Sequence, residues 1–487
     1  MAIQTLSFSS LSKCEGTYLV PVVLTLYSGT TRDCSGLTRR DFLRAGSLAL
    51  GGLSLSHLLG VQASARAAGK SYVRDRSVVL LFLGGGASHI ETFHPNMDAP
   101  APYCSVTGEV KTAIPGLTLG GNFPLLAKHA DKLAVVRSFK HDNSNHPKAI
   151  IHMLTGGTDP TGDAKVGQSM GSVYARLRGA NHEASGLPTY CVVTSAEIDD
   201  QYIRERERIE AGSHPGPLGL PFAPFDPAGG SQLLSNLNLA VAPERLDDRK
   251  TLLTKLDNVK RTIDSTGNIR GLDRFDAQAL EMIVRGAGAA FDITQESAAT
   301  LERYDTGRFR VGKKLFQPSS LGKQMLMARR LVEAGCGFVT VQNSGWDMHA
   351  DGNNPGIGPG MDMLGPPVDR AVSAFLDDIT SRGLLDKVLL VITGDFGRTP
   401  TINARGGRDH YPGLSTLAFF GGGLARGQII GSATRKCDAP ASTPITLANL
   451  HSTILHAQFD IGQLRLDPSI PRDLAMLAEP PPIAELF

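Results

Sequence analysis

With 487 residues the chain can bury a large core, and its length suits one big α/β unit as well as two or three domains. A net charge of +2 with 20% charged residues marks neither a nucleic-acid surface nor an acidic tail. The 54 glycines and 29 prolines exceed what helix bundles tolerate, and a single tryptophan speaks against an aromatic glycan-binding groove.

The N-terminal stretch reads as an address rather than as fold. Thr38-Arg39-Arg40-Asp41-Phe42-Leu43 matches the Ser/Thr-Arg-Arg-x-Phe-Leu pattern of a twin-arginine export signal. The apolar segment Ala45–Gly60 follows, too short and too rich in glycine for a membrane span. Ala63-Ser64-Ala65 and Ala65-Arg66-Ala67 then offer A-x-A cleavage sites. Residues 1–69 are therefore expected to be an N-terminal extension and signal peptide. The competing reading is an internal Arg pair before a buried helix. Ahead of the Arg pair stand a second apolar patch, Tyr18–Tyr27, and Cys14 and Cys34, which fit an early start codon or an extended n-region. A twin-arginine translocase would carry the chain already folded to the periplasm or the exterior, a route that suits a metalloprotein.

Cys104, Cys191, Cys336 and Cys437 remain beyond the signal, none in a C-x-x-C pair, so a zinc knuckle or thioredoxin-like motif is unsupported. Cys191 and Cys336 lie in or beside apolar runs and read as small core residues. A Cys104–Cys437 disulfide is compatible with an oxidising compartment, but spacing alone does not argue for it.

Val78–Leu83 is an unbroken apolar run, expected as the first buried strand, and stops at Gly84-Gly85-Gly86. The triple glycine permits a sharp turn and close approach to a ligand; without a following Gly-Lys-Ser/Thr it is not a Walker loop. His89 and Glu91 come next, either in a solvated loop or at a site. A short helix is expected over Phe123–Asp131 and a strand over Leu133–Arg137. The polar cluster His141-Asp142-Asn143-Ser144-Asn145-His146-Pro147 precedes a helix over Ala149–Leu154 that stops at Gly156-Gly157. The free N–H groups of a helix start suit an anionic substrate. His141 and His146 beside it are candidates for chemistry, or else local caps.

Gly167-Gln168-Ser169-Met170-Gly171 has the G-x-S-x-G spacing of a nucleophile elbow, but no buried strand precedes it, so Ser169 is expected to cap a helix over Met170–Arg178. Leu187–Thr194 is another strand. A charged, helical insertion then occupies about 197–318, with helix-like spacing in Leu246–Thr266 and Phe275–Ala290; Ile203–Glu210 reads as a solvated face.

Regular order returns with a helix over Leu321–Ala334 and a strand over Gly337–Val341. Asp347 and His349 follow two residues apart on an extended segment and so point the same way. An acid and a His on one face suit a divalent ion such as zinc, manganese or iron; a surface turn is the alternative. A helix over Asp362–Arg382 leads to the strand Val388–Thr393. Asp395 stands at its carboxyl end, where open α/β sheets place ligand sites. Arg398 and the Asp409-His410 loop complete a metal or anion site, unless Asp395 is a cap paired with Arg398. A strand over Ser415–Phe420 and a helix over Leu447–Gln458, with His451 and His456 on its surface, close the chain.

TRRDFLRAG, LLFLGGGASHIETFHP, HMLTGG, RRLVEAGCGFVTV, GWDMHAD, RGLLDKVLLVITGDFGRTP and GRDHYPG, in that order, resemble the bacterial family labelled domain of unknown function 1501. That family is abundant in planctomycete-like bacteria and related to the alkaline phosphatase/sulfatase superfamily. The resemblance runs from Thr38 to the end of the chain. It implies a three-layer α/β/α sandwich with a mostly parallel central sheet over 70–487, carrying a divalent-metal site at strand ends and hydrolysing phosphate or sulfate esters. Asp347 and His349 resemble the acid and His that bind the first metal, Asp395 the acid of the Asp-His pair, and His410 the final metal His. His146 falls where the sulfatase nucleophile would be.

The departures are specific. Gly84-Gly85-Gly86 replaces an acid, so His89 or Glu91 would have to stand in for it; Phe396 replaces the His of the Asp-His pair; and no Cys or Ser stands at His146, which excludes formylglycine chemistry. The resulting expectation is an exported metal-dependent hydrolase of phosphate or sulfate esters, sulfated or phosphorylated glycans included. Asp347, His349, Asp395, His410, His89 and Glu91 are the candidate metal ligands for zinc, manganese, calcium or iron. His146, His141 and Arg398 are the candidate catalytic and anion-binding groups. The rivals are a catalytically degenerate envelope binding or assembly protein and, more distantly, a serine esterase using Ser169.

Overall fold

The central strand is β1, Ser77–Leu83, whose residues are all buried. The computed structural model describes residues 72–164, 166–194, 203–227, 287–313 and 315–487, all within one unit, Ser71–Phe487. The twin-arginine motif, Cys14, Cys34 and the Leu246–Thr266 segment lie outside the described residues, and Phe275–Ala290 is described only from 287.

Six further strands join β1: β2 Leu133–Val136, β3 Tyr190–Val193, β4 Phe338–Asn343, β5 Val388–Gly394, β6 Leu417–Gly421 and β7 Gln428–Ile430. Their order across the sheet is β7-β2-β6-β5-β1-β4-β3. All run parallel except β6, which is antiparallel to both β5 and β2. This is the three-layer α/β/α arrangement that the apolar runs lead one to expect, because a sheet covered on both faces needs strands that are apolar throughout.

Period-two alternation divides the strands between two cores. Val79, Leu81, Val339, Val341, Leu390 and Ile392 face one side. There they meet α4 (Leu321–Glu333) and α5 (Ile357–Ser381). Val78, Leu80, Phe82, Phe338, Leu389 and Val391 face the other. Against them pack α1 (His146–Leu154), α2 (Met170–Arg178) and α6 (Leu447–Gln458), while α3 (Ile203–Gly212) lies against α1. His451 of α6 is buried at 2% exposure rather than on the surface, because the turn at Gly156 after α1 packs directly against its ring. In α3 the expected solvated face is broken by Glu205 and Ile209, both buried. Cys104, Cys191, Cys336 and Cys437 are all free thiols, and Cys191 and Cys336 lie in the core.

Candidate metal centre

Three strand ends meet at one point. β4 and β5 flank β1 in parallel, so the turn Gly84-Gly85-Gly86, the segment Trp346-Asp347 and Asp395 emerge side by side. Gly85 has φ +108°, and a Cβ there would stand 2.6 Å from the Asp347 backbone nitrogen; glycine alone lets these segments touch. The Gly85 N–H donates to Asp395 Oδ1 over 3.1 Å.

His146 opens α1, where the Asn145 side chain caps the helix by accepting from the Lys148 N–H. His410 arrives on a two-residue ribbon, Gly397–Arg398 against His410–Tyr411, that pairs it with Arg398. The side chains converge. His146 Nε2 is 2.9 Å from His410 Nε2 and 3.3 Å from Asp347 Oδ1, and His410 Nε2 is 3.2 Å from the same oxygen. The other ring nitrogens face fixed acceptors: His146 Nδ1 lies 2.6 Å from Asp395 Oδ2 and His410 Nδ1 3.1 Å from the Ser144 carbonyl. Those contacts place a proton on each Nδ1 and turn both Nε2 lone pairs toward Asp347.

Two imidazole lone pairs and a carboxylate oxygen crowded together repel unless a cation or a proton lies among them. The three edges suit a divalent ion: bonds of about 2.0–2.1 Å imply ligand–ligand edges of about 2.9 Å in an octahedron and about 3.3 Å in a tetrahedron. Among the described residues His146, Asp347 and His410 form the group whose ligand atoms converge in this way. Their side chains are 12%, 14% and 31% exposed, so one side of the cluster is open. Three protein ligands with an open side is the pattern of a catalytic rather than a structural metal site.

Without an ion a proton takes its place. Burial works against charge on His146, but hydrogen bonds to Asp347 and Asp395 outweigh it and raise its pKa to about 9. Burial likewise opposes ionisation of Asp347, yet contacts with His146, His410 and Arg398 hold its carboxyl well below the usual carboxylate range.

The remaining candidates lie elsewhere. Asp395 orients His146 from behind instead of facing the open side, and it is fully buried. His349 faces the far oxygen of Asp347, its Nε2 3.2 Å from Asp347 Oδ2 and 3.5 Å from Asp351 Oδ2. Glu91 stands in a fully buried pair with Arg408, 3.0 Å apart, and also meets Ser88 Oγ. His89 is buried with Nε2 3.3 Å from the Cys437 carbonyl, and burial lowers its pKa to about 4. His141 accepts at Nδ1 from the Asn143 N–H, and burial lowers it too to about 4.

Arg398 departs most from expectation as an anion-binding group. It is 0% exposed, and its guanidinium donates to the Gly86 carbonyl over 2.8 Å, the Arg408 carbonyl over 3.2 Å, Asp347 Oδ1 over 2.8 Å and the carbonyls of Gly85 and Trp346. Held among these acceptors and closed off from solvent, it does not face a substrate. The start of α1 is also less open than expected, since Pro147 has no N–H and Asn145 takes that of Lys148. Ser169 is buried and caps α2, with no strand before it. Sequence reading did not find the Asp395–His146 and Glu91–Arg408 pairs, because the partners stand 249 and 317 positions apart and nothing local marks them.

A mostly parallel sheet with a His, His, Asp cluster over its central strand ends defines an α/β protein with a candidate metal centre. The chain belongs to the family described as protein of unknown function (DUF1501), which matches residues 75–463. No curated protein matches it. Among solved structures it is similar to the lipoteichoic acid synthase LtaP from Listeria monocytogenes, at 10% identity and a TM-score of 0.34, over 81% of this chain and 76% of that one. The PsFucS1 sulfatase from Pseudoalteromonas sp. is similar at 11% identity and a TM-score of 0.33, over 86% and 75%. The alkaline phosphatase from the Antarctic bacterium TAB5 is similar at 11% and 0.31, over 73% and 94%.

Proposed function

We propose that the protein is an exported, metal-dependent hydrolase of phosphate or sulfate esters, with one divalent ion held by His146 Nε2, Asp347 Oδ1 and His410 Nε2. The observation that carries this reading is the convergence of those three atoms, 2.9–3.3 Å apart, on a side open to solvent. A divalent ion there supplies Lewis acidity toward an ester oxygen and lowers the pKa of a bound water. The chain's own residues do the positioning. Asp395 holds His146 in the tautomer that presents Nε2, and the Ser144 carbonyl does the same for His410. Phe396 walls the site, its ring centroid 4.7 Å from those of both histidines. His349, 19% exposed and hydrogen-bonded to Asp347, stands at the mouth.

Among the described residues no Ser, Thr or Cys side chain is hydrogen-bonded to His146, Asp347 or His410, which favours direct attack by water over a covalent intermediate. The same observation supports the second reading, a degenerate binding protein, so turnover has to decide. Purified, signal-processed protein loaded with zinc, manganese, calcium or iron is to be assayed on a panel of phosphate and sulfate esters beside Asp347→Ala. Turnover lost in the variant supports the hydrolase; binding of esters without turnover supports the degenerate protein. Export rests on Thr38–Leu43. Arg39→Lys together with Arg40→Lys should hold the protein in the cytoplasm, and unchanged export would contradict it. Among the described residues no helix is long and apolar enough to cross a membrane.

A further inference from the structure

A second cation is already built into the pocket as a side chain. Arg398 is fully buried, its Nη2 lies 2.8 Å from Asp347 Oδ1, and the negative charge of Asp395 also acts on it. The guanidinium is wedged by backbone carbonyls of Gly85, Gly86, Trp346 and Arg408, so it cannot swing away. Phe396 fills the adjoining space: it is 1% exposed, and a Cβ on Gly86 would stand 2.8 Å from its ring. A hydrocarbon ring offers an ion no ligand. Beside Asp395, where a second divalent ion would need donors, the structure places Phe396, the His146 contact, the Gly85 N–H and the buried ring of His141, which meets the Asp395 backbone.

Formal charge then limits the substrate. Asp347 and Asp395 contribute two negative charges, Arg398 one positive and a single divalent ion two, while Asp351, 3.5 Å from His349, and Asp409, whose charge also acts on Arg398, bring up to two more negative charges to the rim. The loaded site therefore carries at most one positive charge. Among the described residues no other Lys or Arg is ion-paired to Asp347 or Asp395. A site so nearly neutral balances one negative charge and leaves a second uncompensated in a partly desolvated pocket.

We propose that Arg398 takes the place of a second metal ion, so that the pocket binds one divalent ion and takes singly charged oxyanion esters, sulfate monoesters or phosphodiesters, ahead of doubly charged phosphate monoesters. The inference rests on the metal-dependent reading above. Arg398 is a positioning residue in this account, touching Asp347 and not the substrate.

The test uses the full signal-processed protein. Native mass spectrometry after loading with zinc or manganese gives ion stoichiometry, and isothermal titration at pH 8 gives affinities for methyl sulfate, dimethyl phosphate and methyl phosphate. The second ionisation of a phosphate monoester has a pKa of about 6, so methyl phosphate is a dianion there. The expected result is one ion per chain, with methyl sulfate or dimethyl phosphate bound at least about tenfold more tightly than methyl phosphate; whichever of the two is tighter separates the sulfate from the phosphodiester class. Arg398→Gln should weaken binding of the singly charged probe about tenfold, with partial recovery in Arg398→Lys. Two ions per chain, or methyl phosphate bound as well as the others, would overturn the proposal while leaving a metal-dependent hydrolase intact. No bound ion would remove both. The wild-type measurements stand if the Arg398 variants do not fold.

Discussion

His146 and Asp395 come from distant parts of the chain, 249 positions apart, and meet at 2.6 Å between Nδ1 and Oδ2. The contact makes the carboxylate a brace for the imidazole, which is thereby free to face His410 and Asp347 with Nε2. Asp395→Asn keeps the shape and removes the charge. Metal affinity is expected to fall about 10–100-fold with the fold retained, since outer-shell carboxylates have effects of that size. Titration calorimetry with zinc checks it, and an unchanged dissociation constant would mean that Asp395 does not orient the ligand.

The raised pKa of His146 gives a pH dependence with a definite sign. Its folded value of about 9 exceeds the ordinary 6.5, so the stability it contributes to metal-free protein is fully present below pH 6.5 and lost as pH rises through about 9. The melting temperature of metal-free protein should therefore fall across that window, an effect absent from His146→Gln. Ion binding must displace the same proton, so the metal dissociation constant is expected to tighten by about tenfold per pH unit between ~7 and ~9 and then level off. A pH-independent constant would show that His146 is not a ligand.

The buried pair Glu91–Arg408 supports the site from outside it. Arg408 also donates to the Cys104 carbonyl over 2.9 Å and to the carbonyl of Pro400, tying the loop before His410 to the turn after β1. Glu91→Gln leaves a buried guanidinium uncompensated and should cost about 3–5 kcal/mol, read as a lower urea midpoint. Protein that remains folded should still bind its ion, because Glu91 lies outside the cluster. Loss of the ion at unchanged stability would instead make Glu91 a ligand.

Much of the fold was legible because each central strand is an unbroken apolar run ending in a glycine or polar break: Val78–Leu83 and Val388–Thr393 differ from β1 and β5 by one residue each. Met170–Arg178 and Leu447–Gln458 match α2 and α6, since local periodicity and end signals decide helix limits. β7 was missed, being three residues at a sheet edge with only Ile430 buried. The reversed direction of β6 has no local mark either. In the site, residue type and position mark Asp347 and His410 as candidate ligands, whereas His146 reads as a catalytic group and only the fold turns its Nε2 toward them. Asp395 reads as a ligand from its place at a strand end and from the family resemblance, and Arg398 as an anion binder from its charge nearby; the fold turns one toward a histidine and surrounds the other with carbonyls.

The proposed role of His146, Asp347 and His410 is to hold a divalent ion. Elemental mass spectrometry of the protein, purified without chelators, tests this beside Asp347→Ala, His146→Ala and His410→Ala. The account predicts one equivalent of a divalent metal in the wild type and its loss in each variant, with the fold retained by circular dichroism. A folded wild-type protein that carries no metal and takes none up on addition, or variants that keep a full equivalent, would contradict it.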